Sequence, residues 1–199
     1  FDVSLILYAE HSFNVSIFTA RTITSSLSDI HGAITGAIAS LKGPLHGGAN
    51  EEVMHMMNKI KKPENALKWI NKTLDKKEVV MGFGHRVYKK GDSRVPTMEK
   101  YFKKVALIKN DKKFIKIYDI VKNVMIERKN IHPNVDYPTG PTYHLMGFDT
   151  DFFTPIFVMS RITGWSAHIM EQHAANKLIR PLSKYSGASH RKVMLLNQR

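Results

Sequence analysis

The chain has 199 residues, of which 43% are hydrophobic, and is long enough to bury one substantial core with a smaller lobe attached. It contains no cysteine, which excludes a disulfide framework, a thiolate metal site and a cysteine nucleophile and favours a reducing compartment. Thirty Lys and Arg residues against 17 Asp and Glu give a formal charge of +13. This charge predicts an anionic partner, such as nucleic acid, an anionic membrane or a polyphosphate cofactor.

The N-terminal stretch "FDVSLILYAEHSF" begins without Met and lacks the features of a signal peptide, so we expect a piece of a longer chain. The most apolar segment follows, "SIFTARTITSSLSDIHGAITGAIASL". Arg21, Asp29 and His31 interrupt it and would be costly in a bilayer. Its many small residues predict a closely packed helix pair in a domain core or a subunit interface.

Helical periodicity recurs along the rest of the chain, and strand signals are few. A helix is predicted from Pro63, which suits a first turn. The segment "FFTPIFVMSRITGWSAHIMEQHAANK" is apolar nearly all round, which predicts a central helix with Pro155 near its start. The predicted buried stripes of the middle helices are Leu67, Ile70 and Leu74, then Met98, Tyr101, Phe102, Val105 and Ile108, and then Phe114, Ile117, Val121 and Met125. The pattern predicts an all-α protein with lysines on the solvent-exposed faces of its helices.

Three segments rich in Gly or Pro break this pattern, and each carries one candidate ionisable residue in a protected setting. They are "GPLHGGAN" with His46, "GFGHRVYKKGDSR" with His85 and "NVDYPTG" with Asp136. Each is a weak signal alone. A histidine beside glycine is often a hydrogen-bonded loop residue, "GFGHR" lacks the spacing of a dinucleotide or phosphate-binding loop, and Asp before Tyr-Pro fits turn chemistry.

Taken together, and with "LYAEHSFN" and "SRITGWSAHIMEQ", these segments closely resemble the citrate synthase family in the same order and over essentially the whole chain. The runs "TARTITSSLSDIHGAITGAI" and "NKLIRPLSKYSG" are most similar to its bacterial 2-methylcitrate synthase branch. Family members are longer, and the resemblance covers only their C-terminal half. It implies a citrate synthase-like two-domain helical fold.

The resemblance also implies a reaction and its catalytic residues. Oxaloacetate would condense with propionyl-CoA, and with acetyl-CoA as well, to give 2-methylcitrate or citrate and free CoA. Asp136 matches the base that removes a proton beside the thioester, and His46 matches the donor to the enolate oxygen. His85 matches the residue that polarises the oxaloacetate ketone. A helix predicted to begin near Asn50 would place His46 at its positive end and disfavour the imidazolium.

The family's substrate contacts carry over to four positions. His11, Arg94 and Arg161 match residues that bind oxaloacetate, where the planar fork of Arg suits carboxylates. Arg180 matches an arginine that the family supplies from the neighbouring subunit, which implies a homodimer. For the CoA thioester, a co-substrate, the implied contacts are Val79, Val80, Gly82, Phe83 and Gly84 of an adenine-recognition loop, together with Lys89 and Asn134. No permanently bound cofactor and no metal is expected.

The family's domain division would make residues 48–147 the small domain, and residues 1–47 and 148–199 parts of the large domain. Closure of one domain on the other would assemble the site after oxaloacetate binds. The implied location is the bacterial cytoplasm, with no membrane partner.

Other functions are weighed against this one. A dedicated citrate synthase using acetyl-CoA is the nearest alternative, since one methylene changes binding by only about 1 to 3 kcal/mol. A basic helical nucleic-acid-binding protein would explain the charge, but no such motif is present and the lysines are dispersed. A zinc hydrolase is disfavoured because "HIMEQH" does not match HExxH. An inactive family member is disfavoured because the matched catalytic positions are intact.

Overall fold

The structure is a computed structural model that describes residues 1–88 and 90–199. Over these residues the fold is all-α, as predicted. The helices are α1 (Asp2–Ala9), α2 (Val15–Ser25), α3 (Ile30–Leu41), α4 (Ala49–Ile60), α5 (Pro63–Asp75), α6 (Val95–Ile108), α7 (Lys113–Lys129), α8 (Asp136–Met146) and α9 (Phe153–Ala174). None of the described helices is long and apolar enough to cross a membrane.

Side-chain caps fix where the two helices of the small-residue segment begin. The side-chain oxygen of Asn14 accepts a hydrogen bond of 3.1 Å from the Ile17 amide at the start of α2. The Asp29 carboxylate accepts one of 2.8 Å from the Gly32 amide at the start of α3. Each bond satisfies an amide that has no partner inside its helix, so Asn14 and Asp29 mark the starts of two separate helices.

Helices α1, α2, α3 and α9 form one packing group, in which α9 contacts the other three. The central position predicted for α9 is therefore confirmed. Its Trp165 is fully buried with Tyr8, Ile17 and Leu41 in a shared core. Gly164 permits this packing, because a Cβ there would lie 2.3 Å from the Ala9 carbonyl oxygen.

Helices α4 to α8 form the second group, with a separate core around Phe102, Tyr118 and Val121. Helix α8 packs between α4 and α6, and α5 packs against α7. Gly140 brings α8 close to α4, since a Cβ there would lie 2.8 Å from the Asn50 carbonyl oxygen. The α7 stripe of Phe114, Ile117, Val121 and Met125 is buried as predicted.

Some details of the predicted stripes are wrong. Leu67, Tyr101 and Ile108 are exposed, because each lies at the edge of a stripe narrower than the apolar sequence suggested. The buried face of α6 includes Met98 and Phe102, as predicted, together with Ala106.

The segment "NVDYPTG" was expected to break the helical pattern, but helix α8 begins inside it, at Asp136. Pro138 is tolerated because it stands in the first turn, where amides have no partner within the helix.

Replacing Gly164 with Ala should lower the free energy of unfolding by about 1 to 3 kcal/mol, because α1 and α9 would have to separate. Urea unfolding followed by circular dichroism measures this. Gly43→Ala is the matched control, since its Cβ would meet only the Ser40 carbonyl oxygen at 3.5 Å. Equal stability of the two variants would contradict the packing argument.

Candidate active site

His46 lies in the tight turn that joins α3 to α4, three residues before α4 begins. The Gly47 amide donates to the Leu41 carbonyl oxygen at 2.8 Å, and the Gly48 amide donates to the Gly43 carbonyl oxygen at 3.2 Å. A Cβ on Gly47 would lie 2.7 Å from the Leu41 carbonyl oxygen. The glycine is required because the turn folds back onto α3, and this holds His46 in place.

The hydrogen bonds of His46 assign its tautomer. Its Nε2 accepts from the Ser16 backbone amide at 3.3 Å and lies 2.9 Å from the Ser16 hydroxyl. A backbone N–H can only donate, so the ring proton resides on Nδ1. Burial, and then the positive charge of Arg161, lowers the pKa of His46 to about 4. His46 is therefore a neutral imidazole with an N–H available on Nδ1 at neutral pH.

His11 and His85 meet edge to edge, with 3.1 Å between their Nε2 atoms. The Nδ1 of His85 accepts from the amides of Val87 and Tyr88, at 3.1 and 3.3 Å, so its proton resides on Nε2. Burial and then Arg94 lower the pKa of His11 to about 4, and burial also lowers the pKa of His85. Both imidazoles are thus neutral, and the Nε2–H of His85 donates to Nε2 of His11.

Asp136 is the first residue of α8 and points towards α1. Its Oδ1 accepts a 2.6 Å hydrogen bond from the hydroxyl of the fully buried Tyr8. Burial raises the pKa of Asp136 to about 6, against the lowering effects of the Tyr8 hydrogen bond and of Arg94. A carboxylate with this pKa is ionised at neutral pH and is a stronger base than an exposed aspartate.

Arg94 is held by a carboxylate that the motif analysis did not single out. Asp92 has a fully buried side chain, and its two oxygens accept from Nε and Nη2 of Arg94 at 3.0 and 2.7 Å. Asp92 also accepts from the Val135 amide at 3.1 Å, just before Asp136. Burial opposes ionisation of Asp92, but the Arg94 hydrogen bonds keep its pKa below its ordinary value. The pair ties the "GDSR" turn to the start of α8.

Arg161 is 1% exposed and has no carboxylate partner among the described residues. Its Nε donates to the Tyr8 carbonyl oxygen at 2.5 Å, and its Cζ lies 4.8 Å from the centre of the Phe157 ring. Its Nη1 is buried without a hydrogen-bond partner. Burial lowers the pKa of Arg161 to about 10, which leaves the group charged at neutral pH. A buried unpaired cation of this kind is suited to receiving an anion.

The segment predicted to recognise adenine forms a compact loop beside Asn134. The Asn134 amide donates to the Gly82 carbonyl oxygen at 2.9 Å, and its side chain donates to the Gly84 carbonyl oxygen at 3.0 Å. Gly82 and Gly84 have φ values of +81° and +80°, which favour glycine. Val80 is buried, Val79 is 76% exposed, and the Phe83 ring lies 4.4 Å from the Tyr137 ring.

Arg180 is exposed in the extended segment that follows α9, and its side chain makes no hydrogen bond to the described histidines. That segment docks near the end of α2, where the Ile179 amide donates to the Ser25 hydroxyl at 3.0 Å. Lys89 lies outside the described residues, so its predicted role stays a prediction.

Sequence reasoning missed Tyr8, Ser16 and Asp92. Asp92 stands two residues before Arg94, and Tyr8 stands three residues before His11, so each had a weak spacing signal. Ser16 had none, because its contact with His46 spans 30 residues. A search for cavities would not have identified the site either. An open cavity of about 630 Å³ between α6 and α7 is lined by Asp92 but by none of these histidines.

The described residues bring together no group of three His, Asp or Glu side chains that could hold a metal ion. The site is therefore built from three histidines, one basic carboxylate and two guanidiniums. It offers a base, neutral N–H donors and cations that suit carboxylates.

A profile of the citrate synthase C-terminal domain matches residues 1–182. The chain therefore belongs to the citrate synthase family. It is 59% identical over its whole length to 2-methylcitrate synthase 2 of Corynebacterium glutamicum, and 56% identical over 194 residues to a citrate synthase of Mycolicibacterium smegmatis. It spans 52% of each of these two relatives, or about half of their length.

Solved structures agree with this assignment. The citrate synthase of Thermoplasma acidophilum, in its ternary complex with carboxymethyl-CoA and oxaloacetate, matches 98% of this chain with a TM-score of 0.90 and 37% identity. The citrate synthase of Thermotoga maritima matches with a TM-score of 0.89 and the same identity. This chain covers 54% and 55% of those chains. The fold predicted from the resemblance is confirmed.

His46 should remain neutral, with its proton on Nδ1, from pH 7 to pH 5. An unfolded imidazole titrates near pH 6.5, whereas burial lowers the pKa of His46 to about 4. NMR of protein labelled with ¹³C and ¹⁵N in histidine measures both, with His46→Gln to assign the signals. A midpoint near pH 6, or a proton on Nε2, would overturn this interpretation.

Asp92→Asn should lower the free energy of unfolding at pH 7 by about 3 to 5 kcal/mol, because it breaks a buried ion pair and leaves Arg94 uncompensated. Asp75→Asn is the matched control, since its partner is Arg128 at an exposed pair and its loss should cost about 1 kcal/mol or less. Denaturant unfolding of both variants distinguishes the two cases. Similar losses would show that Asp92 is not the anchor of this turn.

Proposed function

We propose that the protein of which this chain is a part condenses oxaloacetate with a short-chain acyl-CoA and releases free CoA. The observation that carries the proposal is the buried, unpaired Arg161 beside neutral histidines and a basic carboxylate. A cation costs several kcal/mol to bury without a partner, so the site favours a ligand that brings a carboxylate. Oxaloacetate, as bound to the Thermoplasma acidophilum relative, is such a ligand.

In the first step Asp136 takes a proton from the carbon beside the thioester carbonyl. The electron pair of that C–H bond moves into the thioester, and its oxygen accepts a hydrogen bond from Nδ1–H of His46. Proton removal and enolate stabilisation must coincide, because a carboxylate is a far weaker base than the carbanion. A neutral His46 is a donor with no positive charge for Arg161 to repel.

In the second step the enolate carbon attacks the keto carbon of oxaloacetate. The keto oxygen becomes an alkoxide that accepts a hydrogen bond from Nε2–H of His85, the nitrogen that carries the proton, and the alkoxide finally takes up one proton in place of the one that Asp136 removed, so that both residues return to their starting states. His11 would contact the same oxaloacetate, and Arg94 and Arg161 would bind its carboxylates. Water then hydrolyses the new thioester and releases CoA as the free thiol.

The acyl group is the finer part of the proposal. We favour propionyl-CoA, with acetyl-CoA also accepted, because relatives named 2-methylcitrate synthase reach 58 to 59% identity. A relative named citrate synthase reaches 56%, so a dedicated citrate synthase remains the second candidate. One methylene separates the two acyl groups and changes binding only modestly.

For CoA itself we propose the loop from Val79 to Gly84 as the adenine contact and Asn134 as a contact near the pantetheine end. This proposal is supported by the positive φ values of Gly82 and Gly84 and by the hydrogen bonds of Asn134, which together fix the conformation of the loop. We also propose a location in the bacterial cytoplasm, because the relatives at 56 and 59% identity come from bacteria.

The domain division and the dimer are also proposals. We assign residues 48–147 to a small domain and residues 1–47 and 148–199 to parts of a large one, supported by two apolar cores that follow this division except at Met98, Val135, Phe153 and Ile156. Closure of these domains would bring Asp136 and His85 towards bound oxaloacetate. Arg180, exposed in the segment after α9, would complete the site of a second subunit.

The test is oxaloacetate-dependent release of free CoA by the full-length protein, with propionyl-CoA and acetyl-CoA compared. Asp136→Asn should lower kcat by about 10²- to 10⁴-fold, because the base is lost while the shape is kept. A higher kcat/KM for acetyl-CoA would select the dedicated citrate synthase. No release with either thioester would overturn the proposed function and return attention to anion or nucleic-acid binding.

A further inference from the structure

Tyr8 connects two site groups that come from distant parts of the chain. Its hydroxyl donates to Oδ1 of Asp136 across 128 residues of sequence, and its backbone carbonyl accepts from Nε of Arg161. Its ring is fully buried with its centre 4.0 Å from that of Phe157. Tyr8 is thus fixed on three sides, and its hydroxyl has one position to occupy.

This contact makes the two oxygens of the Asp136 carboxylate unequal. Oδ1 is occupied by the Tyr8 hydroxyl at 2.6 Å. In the part of the chain that the structure describes, Oδ2 receives no hydrogen bond. An oxygen that already accepts a strong hydrogen bond is the poorer proton acceptor, so Oδ2 is the oxygen left for proton abstraction.

We propose that Tyr8 is the positioning residue of the base: its hydroxyl holds Oδ1 of Asp136 so that Oδ2 faces the acyl-CoA, and it keeps the carboxylate ionised in a buried place. This inference rests on the proposed function, since it concerns the base of that reaction. Tyr8 acts through Asp136 and is not itself assigned a step.

The electrostatic surroundings agree with this role. The charged and titratable groups that act on Asp136 are Tyr8 from α1, Asp92 and Arg94 from the turn before α6, Arg161 from α9 and, within α8, Tyr143. Burial raises the pKa of Asp136, and the Tyr8 hydrogen bond opposes this increase more than either arginine does. Without that hydrogen bond the carboxyl group would bind its proton at a higher pH.

The first test is Tyr8→Phe in the full-length protein, which keeps the ring and removes only the hydroxyl. The acid limb of the pH profile of kcat/KM for the acyl-CoA should move about one unit higher, so that activity at pH 6 falls about fivefold more than at pH 8. KM for oxaloacetate should change less than about threefold, because the backbone carbonyl that holds Arg161 is retained.

Tyr118→Phe is the matched control. Tyr118 is also fully buried and its hydroxyl donates to Glu99 at 3.0 Å, away from the site. It should leave the acid limb in place. If Tyr8→Phe also leaves the limb in place, or raises KM for oxaloacetate with kcat unchanged, the positioning role is wrong.

A second variant keeps the inference testable if Tyr8→Phe does not fold. Incorporation of 3,5-difluorotyrosine at position 8 keeps the ring and the hydroxyl but makes the hydroxyl a stronger donor. The acid limb should then move to lower pH, and an unmoved limb would overturn the inference. Wild-type protein without oxaloacetate-dependent CoA release would instead sink the proposed function, and the two failures are thereby distinguished.

Discussion

The charge of Arg161 is the constraint on which the rest of the site depends. A guanidinium in the interior, with Phe157 on one face and a backbone carbonyl on Nε, acts electrostatically on titratable groups from three other parts of the chain. It disfavours the imidazolium forms of His46 and His11 and favours the carboxylate form of Asp136. Burial is the main reason that His46 and His11 are neutral, and the Arg161 cation adds to that effect and, after the Tyr8 hydrogen bond and Arg94, limits the rise in the Asp136 pKa that burial causes.

The sequence predicted some helices and site residues correctly and missed others, and the difference has physical reasons. Periodicity found the helices whose buried face is regular, such as α7, but it could not see that Pro138 and Gly140 belong to a helix whose close packing replaces a side-chain stripe. The motif residues were found because Gly and Pro mark the turns that carry them. Tyr8 and Ser16 were missed because their roles arise from contacts across the fold, which no local spacing encodes.

The excess positive charge has two distinct locations. Arg94 and Arg161 are withdrawn from solvent, whereas most lysines lie on the outer faces of the helices. Lys103 and Lys122, for example, bind Glu99 at the surface of α6 and α7. The buried cations act at hydrogen-bond range, and the lysines contribute only a field that salt screens within about 10 Å. The +13 charge is thus a poor guide to chemistry, although it favours the approach of anionic substrates.

The cap of α2 has a consequence beyond helix stability. Asn14 caps that helix with the same side-chain oxygen that accepts from the Ser16 hydroxyl at 2.8 Å, and Ser16 in turn meets Nε2 of His46. Because the Ser16 hydroxyl has a single proton, the side-chain oxygen of Asn14 and Nε2 of His46 compete for it. A mutation that a stability screen would score as a lost cap would, at Asn14, change the hydrogen bonding of a histidine 32 residues away in the chain.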